Sequence, residues 1–146
     1  LRWKRPERAA KRKSYHEWYY ENVKRPRTGR SKRGARWSLP EKQVRKIVEA
    51  CCNASEVIFF DRKTLGGRLE LDVFNPVRRW AIDIRGAYHY KPIHGLGHLR
   101  MVRRWDKRKS ALCRKLGIRL IVMRTIRNAG FSPRTLKRLQ KKLELV

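Results

Sequence analysis

Two aspartates raise the question of chemistry. Asp72 sits in the alternating stretch from Leu69 to Phe74, and Asp83 sits in a second one from Trp80 to Arg85. Asp is disfavoured in strands, and two nearby carboxylates repel each other, more so when buried. A divalent cation removes that cost, since Mg²⁺ takes one or two carboxylates together with waters and phosphate oxygens. Each Asp can instead pair with one of the many arginines on a solvated face. Spacing alone leaves both readings open, because strand register is not written in the sequence. His89 follows Asp83, just beyond Gly86. A neutral imidazole there can take a proton from an attacking water or assist a leaving group; an ordinary hydrogen-bonded loop histidine is the plainer account. Asp106 and Lys109 share a helix face at i and i+3, as a surface ion pair worth little or with Asp106 beside the sheet acids. His89, His94 and His98 offer a zinc alternative, but their spacing matches no common pattern.

The elements that must position these side chains follow from periodicity. Ser38-Leu39-Pro40-Glu41 has the form of a capping box, which by itself accounts for Glu41. Val44, Ile47, Val48 and Cys51 then recur at helical spacing, and the helix is expected to end near Cys52-Asn53. Val57 to Phe60 is a short apolar strand, and Thr64 to Gly67 is a turn. In the next strand Leu69, Leu71 and Val73 are expected on one face, with Glu70 and Asp72 on the other. After the Asn75-Pro76 turn, Trp80, Ile82 and Ile84 alternate with Ala81, Asp83 and Arg85. The short connection predicts an antiparallel hairpin. A helix is expected over about 99–116, with Leu99, Val102, Trp105, Leu112 and Leu116 inward and Gly117 as its stop. Ile118 to Met123 reads as a strand too apolar for an edge, hence inside the sheet. Ser132-Pro133 caps a last helix with Leu136, Leu139 and Leu143 inward. The order α-β-β-β-α-β-α, with a helix between the last two strands, predicts an α/β fold with a mixed sheet.

Charge points to the partner. The 146 residues carry 40 Lys and Arg against 12 Asp and Glu, a formal net charge of +28. Such an excess repels itself unless a polyanion neutralises it, and each phosphate contact gains from counterion release. Much of it lies in residues 1–37, a basic arm ahead of a folded domain over 38–146. The arm's candidate phosphate contacts are Lys11, Arg12, Lys13, Arg25, Arg27, Arg30, Lys32 and Arg33; in the domain they are Arg85 and Lys91. A short helix is expected over 8–22, where Tyr15, Trp18, Tyr19 and Tyr20 offer stacking surfaces for bases or a docking face. No stretch approaches the roughly 20 apolar residues that span a bilayer, and no helix pairs a clean apolar face with a basic one at length. The three sparse cysteines form no CxxC pair and fit a reducing compartment. A chain opening on Leu1 is expected to be a processed or trimmed product, and its Arg-rich, acid-poor front is compatible with a mitochondrial or other organelle protein.

From Glu70 to Pro92 the sequence ELDVFNPVRRWAIDIRGAYHYKP, with WDKRKSALCRKLGIRLI from Trp105 to Ile121, resembles the PD-(D/E)XK nucleases. The branch it resembles includes very-short-patch repair endonucleases and phage homing endonucleases of the EDxHD type, and the likeness covers residues 38–123. The resemblance implies a restriction-endonuclease-like mixed sheet flanked by helices. Asp72 would be the principal ligand of Mg²⁺ or Mn²⁺ and Asp83 the second. His89 would move protons or hold the metal's water, and Glu41 and Asp106 would complete an acidic ring. Double-stranded DNA would be the substrate. Arg85 stands where the motif often has Lys or Gln, and arginine cannot serve as a base. His94-Gly-Leu-Gly-His98 replaces the family's usual Gly-Gly loop, and a basic arm stands where zinc-finger-like cysteine pairs often precede such domains.

Three functions follow as expectations, two of them foremost. One is a metal-dependent, site-specific or homing-type DNA endonuclease. The other is a nuclease fold that has lost activity and binds structured RNA in a large ribonucleoprotein such as a mitochondrial ribosome. A catalytically silent DNA-binding module is a third, separated from the first only by activity.

Overall fold

The computed structural model describes residues 37–125 and 130–145. Helix α1 (Leu39–Cys51) begins where the sequence signals it. The Ser38 hydroxyl accepts the Glu41 N–H, and the Glu41 carboxylate accepts the Ser38 N–H at 2.6 Å. Two of the helix's orphan donors are thereby satisfied. Strands β1 (Ile58–Asp61), β2 (Leu71–Asn75) and β3 (Trp80–Arg85) follow, then helix α2 (Leu96–Lys115), strand β4 (Arg119–Arg124) and helix α3 (Pro133–Glu144). Ser132 caps α3 by accepting the Thr135 N–H.

The described strands form one sheet in the order β1-β2-β3-β4. β1, β2 and β3 run antiparallel in succession, and β4 lies parallel to β3 after α2 crosses over. The predicted hairpin and mixed sheet are both present. In the hairpin turn Asn75 accepts the Arg78 N–H through its side chain, and Arg79 takes a left-handed φ of 56°.

Two cores sandwich the sheet. On one face α1 and α3 lay Val44, Val48, Leu139 and Leu143 over Val73, Trp80, Ile82, Ile121 and Met123. On the other, Cys113 of α2 packs with Leu71, Phe74, Ala81 and Ile118. Burial of each large side chain contributes roughly 1.5–3 kcal/mol. Gln43 ties α1 to the approach of α3, accepting the Phe131 N–H and donating to the Phe131 carbonyl.

Three expectations need correction. β4 lies at an edge of the described sheet. Ile121 and Met123 bury its apolar side while Val122 is 40% exposed, so one covered face suffices for its hydrophobicity. β2 does not alternate evenly: Leu69 and Leu71 join the α2-side core and Val73 the other. The break falls at Asp72, beside which Phe60 of β1 adopts a left-handed φ of 55°. Local departures of this kind re-aim side chains at functional sites. Finally, α2 starts at Leu96, and its Trp105 and Leu116 face outward, 49% and 39% exposed. Its buried stripe is Leu99, Val102, Asp106 and Cys113. No helix among the described residues is long and apolar enough to cross a membrane.

Candidate acidic site

The C-terminal end of β3 gathers the candidate residues. Val73 pairs with Ile82, so the next step of that register sets Asp72 opposite Asp83. The ladder stops short of it, and the Asp72 carboxylate takes the Ile84 N–H at 2.5 Å. Asp83 is 2% exposed and points to the α2 side. One of its oxygens accepts from Lys109 Nζ at 2.5 Å and the other from Arg85 Nε at 2.7 Å. Arg85 also approaches Asp106, with Nη1 3.7 Å from Oδ2. The same Asp106 oxygen lies 2.9 Å from His89 Nδ1, and both residues are buried. His89 is delivered by a 3₁₀ turn over Ala87–His89, directly after β3.

Charge in this network is nearly balanced by the chain itself. Burial pushes the Asp72 carboxyl up to about 7, and the neighbouring Asp83 charge adds to the rise, against the opposing Ile84 N–H and Lys109. Burial opposes the Arg85 charge, yet the hydrogen bond and charge of Asp83, with Asp106, hold its pKa above the ordinary value. Tyr88 feels the charges of these acids. Its phenol is raised by burial and then by the charges of Asp72, Asp83, Asp106 and Glu41. These are the four acids that the resemblance groups into one ring.

Two assignments change on inspection. Lys109 does not pair with Asp106 on the surface; it reaches inward to Asp83. Asp106 orients His89. A hydrogen bond from Nδ1–H to a carboxylate leaves Nε2 as the basic nitrogen, the arrangement a general base needs. Glu41 and Asp72 line one narrow crevice with Trp37 and Phe60, although the Glu41 carboxylate is bonded to the helix cap. His94 and His98 meet edge to face at 5.2 Å between centroids, and Tyr88 lies between His98 and His89, 6.4 Å and 4.3 Å from them by ring centroids. Lys91 is exposed beyond the 3₁₀ turn. The arm's Lys11, Arg12, Lys13, Arg25, Arg27, Arg30, Lys32 and Arg33, with the helix expected over 8–22, lie outside the described residues.

Sequence reasoning passed over Lys109 and Tyr88 as participants. The spacing of Leu99, Val102, Asp106, Lys109 and Cys113 was a usable signal for Lys109, since one helical stripe holds all five. Tyr88 had no such signal, because only the backbone turn aims it.

As a metal centre the arrangement is incomplete. Asp72 Oδ1 accepts no hydrogen bond among the described residues and is a ready ligand. Both oxygens of Asp83 are held by cations, so Asp83 can ligate only if Lys109 or Arg85 turns away. Among the described residues no group of three or more His, Cys, Asp or Glu side chains is gathered as a metal site. Comparisons with protein-family models, curated proteins and solved structures find no match to this chain.

Proposed function

We propose that this chain binds nucleic acid and hydrolyses its phosphodiester bonds, with its α-β-β-β-α-β-α core as a restriction-endonuclease-like domain and its basic front as an arm along the backbone. What supports this is the placement of Asp72 and Asp83 on adjacent strands beside a histidine bonded to Asp106, in a chain of formal charge +28. Mg²⁺ or Mn²⁺, held by Asp72 and Asp83, would neutralise the scissile phosphate and lower the pKa of a bound water. Lys109 and Arg85 would move from Asp83 to the incoming phosphate, which satisfies them equally well and frees the carboxylate. His89, held by Asp106, takes a proton through Nε2.

A second reading rests on the same contacts. Asp83 is already neutralised by two side chains of its own chain. Such a network is stable with no metal, as a nuclease-like scaffold bound to structured RNA in a large ribonucleoprotein would need. One experiment separates them. Plasmid DNA is incubated with the protein and Mg²⁺ or Mn²⁺, beside an Asp72→Ala control. Metal-dependent cutting that the control lacks is the expected result. No cutting with either metal, together with co-sedimentation with ribosomal particles, would replace the hydrolase by the scaffold.

A further inference from the structure

A cleft of about 440 Å³ opens from His89, Asp106 and Arg85 and extends along α2 past the residues given a part in hydrolysis. Its long wall is a stripe of α2. Along the helix, Arg103 and Lys107 come before the small Ser110 and Ala111, and Arg114 follows them. The helix surface is therefore dished, with cations at its rims. Arg85 and Tyr90 form the opposite wall. Arg85 Nη2 is buried and has no hydrogen-bond partner among the described residues. An unmet buried donor is costly, and a bound acceptor would relieve it. One face of Tyr90 is covered by Arg124, whose guanidinium carbon lies 3.7 Å from the ring centroid. Among the described residues the only acid lining the cleft is Asp106, already engaged by His89 and Arg85.

Four cations, an orphan donor and an aromatic wall select an anion that carries a flat ring. The volume falls in the roughly 300–1,000 Å³ range of small-ligand sites. It admits one nucleotide, whereas bases stacked inside a duplex cannot enter unless they are extruded. We propose that this cleft seats one unstacked, phosphate-bearing nucleotide of a single strand. Its phosphate meets cations of the cleft's rim, and its base lies along Tyr90. The assignment rests on the nucleic-acid reading above and narrows it: the strand presented to His89 is single-stranded or frayed.

The test measures binding without metal, by fluorescence anisotropy of the full chain in EDTA. Labelled single-stranded DNA is compared with blunt duplex of the same sequence. Ala111 is exposed, so Ala111→Trp fills the cleft from the solvent side. The expected result is a loss of about tenfold on the single strand, comparable to removal of one base stack, with duplex affinity changed less than about twofold. Tyr90→Leu should act in the same direction, and it carries the test if the Trp variant fails to fold by circular dichroism. Equal losses on both substrates, or no loss on either, would overturn the proposal. Plasmid cutting read in parallel separates the two claims. Retained cutting without selective loss removes the cleft alone, and selective loss without cutting removes the hydrolase alone.

Discussion

Replacing Asp72 by Asn isolates the cost of holding that carboxyl in the fold. Asn keeps an oxygen for the Ile84 N–H and cannot ionise. In the wild type the folded pKa is about 7 against an ordinary 3.8. The folded state therefore holds the proton more tightly than the unfolded chain. Asp72 is least costly to stability below the unfolded pKa, and its cost grows as pH rises towards the folded one. At 1.36 kcal/mol per pKa unit the cost is on the order of 2 kcal/mol at pH 5 and on the order of 4 kcal/mol at pH 8. The stability advantage of Asp72→Asn should thus grow by roughly 2–3 kcal/mol across that interval. Urea unfolding of both proteins at pH 5, 6, 7 and 8 in EDTA measures it, and the difference between the two cancels the other titrating groups. A flat difference would mean that Asp72 stays ionised in the fold and that burial does not govern it.

Lys109→Met leaves the buried Asp83 with Arg85 alone and should cost roughly 3 kcal/mol in urea unfolding, part of it restored by adding Asp83→Asn; a loss below about 1 kcal/mol would place the pair in effective contact with solvent. Gly130→Ala should lower stability by about 1–3 kcal/mol, because φ is 82° there and a Cβ would sit 2.5 Å from Gln43 Oε1; an unchanged melting temperature would contradict that geometry. Binding to DNA should weaken by roughly 10³-fold or more between 50 and 200 mM salt. An affinity indifferent to salt would remove phosphate as the main contact.

Most of the element order was legible because local signals agreed. Ser38 and Ser132 start helices, Asn75 marks the hairpin, and Trp80, Ile82 and Ile84 alternate cleanly. The failures fall where charge and packing share a surface. The inward face of α2 was assigned by counting apolar residues, which selected Trp105 and Leu116. Its buried stripe carries Asp106 instead, because β3 presents Arg85 to meet it. Likewise the even alternation expected of β2 ignored Asp72, whose side chain takes over a backbone partner. The identities of the acids could be read along the chain. Their partners could not, since Asp83 and Lys109 are 26 residues apart and meet only once α2 has crossed the sheet.

The double grip on Asp83 also bears on what may change over generations. Substituting the acid alone strands two inward-pointing cations; substituting either cation alone leaves an acid short of its counterweight. Each such step is penalised in the fold whether or not any bond is ever cut. A descendant is therefore held to this aspartate by the fold itself, and sheds it only by exchanging Lys109 or Arg85 in the same lineage.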